Sequence, residues 1–170
     1  MVVLILESEA IVGLMLETEL RDAGYTVLGP VTTVDDALAV ARRQWIDCAL
    51  LSVQTNGART ADLQIADLVA TLAKELSVPA WIICNDTDQA RHARTHAIGC
   101  IKKPYAIETV VQALNVTHEI LSLQHPHPTR LPSGLELFWH SAQSFRARRA
   151  DDSAHMHTGA RQSMLGRGRL

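Results

Sequence analysis

Asp47-Cys48-Ala49-Leu50-Leu51-Ser52-Val53 is a short apolar run, entered from an acid and left through the turn residues Gln54-Thr55-Asn56-Gly57. A run of this length reads as a strand buried on both faces, the kind found at the centre of a parallel sheet. Ser52 stands at its carboxyl end, where open α/β sheets place their sites.

Towards the amino terminus, Val2-Val3-Leu4-Ile5-Leu6 is a β-branched strand ending at Glu7-Ser8-Glu9. Residues 10–23 follow as a helix, with Ile11, Leu14, Met15, Leu20 and Ala23 at helical spacing as its inward side and Glu17, Glu19 and Arg21 opposite. Gly24 is a stop, Tyr25-Thr26-Val27-Leu28 a second strand, and Thr33-Val34-Asp35-Asp36 resembles a capping box opening a helix to Gln44.

Towards the carboxyl terminus, a loop at 54–60 leads to a third helix carrying Leu63, Ala66, Asp67, Ala70 and Lys74. Val78 to Cys84 is the fourth strand, with Pro79 at its tolerated entry. Residues 87–96 read as a polar helix, Ile98-Gly99-Cys100-Ile101 as the fifth strand and 106–121 as the last helix, with Ile107, Val110, Val111, Leu114 and Ile120 inward. Strand and helix thus alternate five times, which requires parallel pairing with crossover helices. A doubly wound sheet in the order 2-1-3-4-5 follows, and it brings Glu7, Ser8, Ser52, Cys84 and Lys103 to one edge.

Composition is consistent with one domain and an appendage. Residues 1–121 hold 9 Lys+Arg and 15 Asp+Glu, a balance of −6; residues 122–170 hold 7 and 3, a balance of +4. An acidic body therefore precedes a basic extension. The extension reads as a Pro-rich linker (Gln124 to Pro132), a short amphipathic helix over 134–149 with Leu135, Phe138, Ala142 and Phe145 on one side, and a disordered stretch from Asp151. No stretch is long enough to span a membrane, and the first apolar run has no basic flank, so neither a signal peptide nor a membrane partner is expected. Cys48, Cys84 and Cys100 lie in or at the ends of apolar runs, which suits buried reduced thiols in a cytoplasmic protein.

In order and spacing, Val3-Leu4-Ile5-Leu6-Glu7-Ser8-Glu9, Asp22-Ala23-Gly24-Tyr25-Thr26-Val27, Asp47 to Val53, Val78-Pro79-Ala80-Trp81-Ile82-Ile83 and Lys102-Lys103-Pro104-Tyr105 resemble the receiver domains of bacterial response regulators, over residues 1 to about 121. The resemblance implies a flavodoxin-like (βα)5 fold with a C-terminal extension (domains 1–121 and 122–170) in two-component, phosphorelay signal transduction. In that family an aspartate ending the third strand accepts a phosphoryl group, acids ending the first strand hold Mg²⁺, a Ser or Thr ends the fourth strand, and a lysine precedes proline after the fifth.

Carried over position by position, only Glu7 and Lys103-Pro104 match. The phosphoacceptor position is Ser52, the second acid Ser8, the strand-four hydroxyl Cys84 and the aromatic switch position Cys100. Serine is a poor nucleophile without an adjacent base, and the loss of two carboxylates removes ligands a hard cation needs. The expectation is a degenerate pocket that is not an enzyme, has no cofactor and no Mg²⁺, and contains a Lys103–Glu7 ion pair.

The corresponding function is that of a pseudo-receiver acting as a phosphorylation-independent interaction module. Its partner would be a histidine kinase, a regulator or a second copy, met through the fourth helix, fifth strand and fifth helix, a surface including Arg91, Arg94, Tyr105 and Glu108. Two alternatives stay open at this level: a phosphorylatable regulator with a non-standard acceptor, and a nucleic-acid-binding regulator acting through the basic tail, for which no reading module is visible. A Cys84–Cys100 redox pair also stays open.

Overall fold

The computed structural model describes residues 1–53, 59–122, 131, 133–138, 140, 142 and 145, and the side chains of its third helix from Leu63 onward. Most of the Pro-rich linker, Trp139 and the stretch from Asp151 lie outside the described residues.

The elements run β1 Val2–Leu6, α1 Ala10–Asp22, β2 Thr26–Val31, α2 Val34–Ala41, β3 Cys48–Ser52, α3 Arg59–Lys74, β4 Ala80–Cys84, β5 Gly99–Lys102, α4 Ile107–Ser122 and β6 Leu135–Leu137. The sheet order is β2-β1-β3-β4-β5-β6, with the first five strands parallel as expected and β6 antiparallel at the edge. All five residues of β3 are buried, as are all five of β4. Alternate side chains feed two cores. Val3, Ile5, Cys48, Leu50, Trp81 and Ile83 pack with α1 and α4 on one face. Leu4, Leu6, Ala49, Leu51, Ile82 and Cys84 pack with α2 and α3 on the other. Among the described residues no helix is long and apolar enough to cross a membrane.

The expected cap on α2 is present: the Thr33 hydroxyl accepts from the Asp36 amide at 3.1 Å. Three other readings are corrected. Helix α1 turns Gly13, Leu16 and Leu20 inward, so Ile11, Leu14 and Met15 face outward. The reason is the close approach at Gly13, where a Cβ would come within 2.9 Å of Pro30; the helix rests on its glycine. In α3 the buried stripe is Ile65, Leu68, Val69 and Leu72, with Leu63 exposed. Residues 87–96 are no α-helix: a four-residue 3-10 turn, Thr87–Ala90, is capped by the Asp86 carboxylate on the Asp88 amide, and turns follow. Part of the extension joins the sheet.

That joining replaces the amphipathic helix expected from residue 134. Leu135–Leu137 pairs with Gly99–Ile101, and helical geometry begins only beyond Phe138, whose carbonyl accepts from the Ala142 amide at 3.1 Å. Leu137, Phe138, Ala142 and Phe145 are buried, so the apolar spacing is used, but by a strand followed by a helical turn. Gly99 permits the pairing: a Cβ there would run into the Glu136 carbonyl and come within 2.5 Å of the Trp81 ring.

Candidate functional site

The carboxyl ends of the parallel strands bring the expected residues together. Glu7 follows β1 and is only 3% exposed; Ser52 ends β3 at 7%. Lys103 follows β5 and reaches back across the sheet, its backbone amide held by the Cys84 carbonyl at 2.8 Å. Its ammonium donates to Ser52 Oγ at 2.8 Å and lies 3.5 Å from Glu7 Oε2. The expected Lys103–Glu7 ion pair is therefore present, and Ser52 makes the shorter contact.

The second oxygen of Glu7 is also occupied. Oε1 accepts from the Glu9 amide at 3.0 Å and from the Ser8 hydroxyl at 3.5 Å. Beside Ser52 opens a small pocket of about 250 Å³, lined by Ser8, Thr32, Thr33 and Gln64 with Leu6, Val34 and Ile65. A larger cleft of about 590 Å³ lies between α1 and the loop after β5, with Lys103 and Tyr105 in its wall. Burial, followed by the nearby Glu7 and Glu19 carboxylates, pushes the Tyr105 phenol up to about 12.

Cys84 and Cys100 are not part of this surface. Both are buried, on the α2 and α3 face of the sheet. The neighbouring Cys100 thiol, then burial, raises the pKa of Cys84. The register pairs Cys84 with Lys102 and Ile82 with Cys100, so the two cysteines sit diagonally. Strand spacing and rise place such Cα atoms about 8 Å apart, beyond the reach of a disulfide without backbone movement. All three cysteines are free thiols.

The residues offered as an interaction surface are divided. Arg91 and Glu108 are exposed, and Tyr105 packs against the α1 and α4 core. Arg94 pairs with Glu136 of β6 and stacks on the Phe138 ring, 4.8 Å from its centroid. Ala90 and Ala93 belong to one core and Val110 to the other, so β6 at the sheet edge runs between them. The middle of the expected surface is thus filled by the chain itself.

Among solved structures the chain is similar to the signal receiver domain of a modulated diguanylate cyclase from Desulfovibrio desulfuricans G20, at 26% identity and a TM-score of 0.60 over 73% of this chain and 98% of that one. The fold is that of a response-regulator receiver domain. The chemotaxis response regulator CheY4 of Vibrio cholerae shares this receiver fold at 21% identity and a TM-score of 0.57, over 68% of this chain and 97% of its own. So does a streptococcal protein described as a redox sensor evolved from two-component response regulators, at 23% identity and a TM-score of 0.60, over 77% of this chain and 57% of that one. No family model matches the sequence, and no curated protein does.

Sequence reasoning missed Thr117. Its hydroxyl, fully buried, accepts the Trp81 indole N–H at 2.8 Å and donates to the Ala113 carbonyl at 3.0 Å. It ties α4 to the centre of the receiver sheet. A polar residue on the apolar side of α4, facing the one tryptophan in β4, was the available signal.

Proposed function

We propose that this protein is a two-component signalling module that retains the receiver scaffold and works without phosphoryl transfer, by binding a protein partner. The carrying observation is the contact of Lys103 with Ser52 at 2.8 Å. The group placed to receive a phosphoryl group is a neutral hydroxyl already engaged by the lysine. An attacking carboxylate is missing from that position, and the side chain bonded to Ser52 is the Lys103 ammonium, a cation and not a base.

The donor set also argues against Mg²⁺. The ion prefers near-octahedral oxygen coordination with carboxylate ligands. Here one carboxylate, Glu7, is shared between an amide, a hydroxyl and an ammonium. At the other two acid positions the described side chains are Ser8 and Ser52, neutral hydroxyls in place of carboxylates.

In this reading the protein is not an enzyme and uses no cofactor. It acts in the cytoplasm, consistent with three unpaired thiols. Its partner is a histidine kinase, a regulator or another copy, and the exposed Arg91 and Glu108 are surface candidates. A backbone amide titration with Mg²⁺ and then beryllofluoride tests the reading. Unmoved resonances at residues 7–9, 52, 84 and 103 are expected, while saturable shifts there would mean that a substitute acid completes the site and would overturn it.

A further inference from the structure

Helix α1 presents an apolar stripe. Ile11, Leu14 and Met15 are 76, 55 and 59% exposed, and their spacing sets them side by side on one flank of the helix. The stripe borders the 590 Å³ cleft through Met15 and a shallower groove of about 410 Å³ through Ile11, Leu14 and Thr18. Carboxylates rim it: Glu9 and Glu19 line the cleft, and Glu19 the groove as well. Three large apolar side chains grouped on one helix flank mark a surface that is covered in use.

We propose that the cover is the chain's own residues 146–170. Three observations select this occupant. The chain reaches that segment from Phe145, which is buried in the same core as Leu16 and Leu20 of α1, hence on α1's side of the sheet. The segment has 25 residues, enough to span about 80 Å when extended, whereas α1 has 13 residues and is about 20 Å long. The chemistry is complementary: residues 146–170 hold six arginines and two aspartates, with Met156, Met164, Leu165 and Leu170 as apolar groups. Arginines meet the Glu9 and Glu19 rim, and the adaptable methionines meet the stripe.

Covalent attachment gives the segment a millimolar-scale effective concentration, so a weak contact suffices. A partner seeking α1 must displace the tail, which makes the tail a competitor built into the chain. This inference is independent of whether the Ser52 pocket is silent.

The test uses the full-length chain with Met164→Cys carrying a nitroxide, the native thiols being buried. Paramagnetic loss of the Ile11, Leu14, Met15 and Thr18 amide signals is expected. It should be relieved by Leu14→Ser with Glu19→Lys in the same chain, and weakened near 1 M salt, where the Debye length is about 3 Å. Signal loss that is absent from α1, or that survives the α1 substitutions, overturns the proposal. So does loss appearing on isotopically labelled, spin-free chains mixed with unlabelled spin-bearing ones, because the occupant would then be another copy's tail.

Discussion

The ammonium of Lys103 lies closer to Ser52 Oγ, at 2.8 Å, than to the carboxylate of Glu7, at 3.5 Å. Because Glu7 is 3% exposed, the lysine is its cationic neighbour in a site with little water. Lys103→Met is expected to destabilise the fold by about 1–3 kcal/mol, below the usual cost of breaking a fully buried pair because the lysine side chain retains some solvent contact. Glu7→Gln in the same chain should recover part of that loss, since no buried charge is then left unpaired. Chemical denaturation of the two single variants and the double variant measures both effects. Strict additivity would show that the pair is not coupled.

Thr117→Val keeps shape and removes the acceptor of the Trp81 indole N–H. Both residues are fully buried, so the donor is left without a partner at a cost of about 1–3 kcal/mol. Thr117→Ser should restore most of the stability, as the hydroxyl returns and one methyl is lost. A valine variant with an unchanged denaturation midpoint would remove the bond's structural role.

Burial pushes the Cys48 thiol from 9.0 up to about 12, with a smaller raising effect from Asp47. A group whose folded pKa is raised stabilises the fold fully below its unfolded pKa, and that contribution is lost as pH rises through the folded value. Between pH 9 and about 12 the unfolded chain sheds this proton before the folded one does, so stability falls with pH. The loss from this thiol approaches about 4 kcal/mol by the upper end. Cys48→Ala should flatten that part of the stability-against-pH curve relative to the parent. Parallel curves would contradict the burial argument.

The β6 edge strand separates two sources of cohesion. The Arg94–Glu136 pair is half exposed on both sides, so Glu136→Gln should change stability by less than about 1 kcal/mol. Phe138→Ala empties a buried aromatic site and should cost about 3 kcal/mol or more. Hydrogen exchange at Lys102, whose amide is bonded to the Gly134 carbonyl at 2.8 Å, reads the strand directly. Protection there should fall in the phenylalanine variant and persist in the glutamine variant.

How far the sequence could be read depended on burial from two sides. β3 and β4 were visible as continuous apolar runs because helices cover both faces of a parallel sheet. Once five strands were placed, the meeting of Glu7, Ser52 and Lys103 followed from their positions at the strand ends. The rotation of α1 could not be read, because Ile11, Leu14 and Met15 make a better apolar stripe than one containing Gly13; only the approach to Pro30 decides between them. Three-residue β6 was hidden for a different reason. Its alternation is too short to compete with the helical spacing of Leu135, Phe138, Ala142 and Phe145, and what selects the strand is the bare edge left beside Gly99, a tertiary feature. Thr117 was hidden because its partner lies 36 positions away.

The antiparallel β6 also determines how this sheet can meet another backbone. The rims of the sheet are β6 and β2: β6 is only three residues long, and in β2 Pro30 lacks an N–H group while the register with β1 shifts between Leu4 and Leu6. A proline and an irregularity on an edge strand both discourage addition of a further strand. A very short strand at one rim and a proline with an irregularity at the other make both poor templates, so the sheet resists edge-to-edge growth and aggregation by that route. Specific contacts with other molecules are left to side-chain surfaces on the helices and loops.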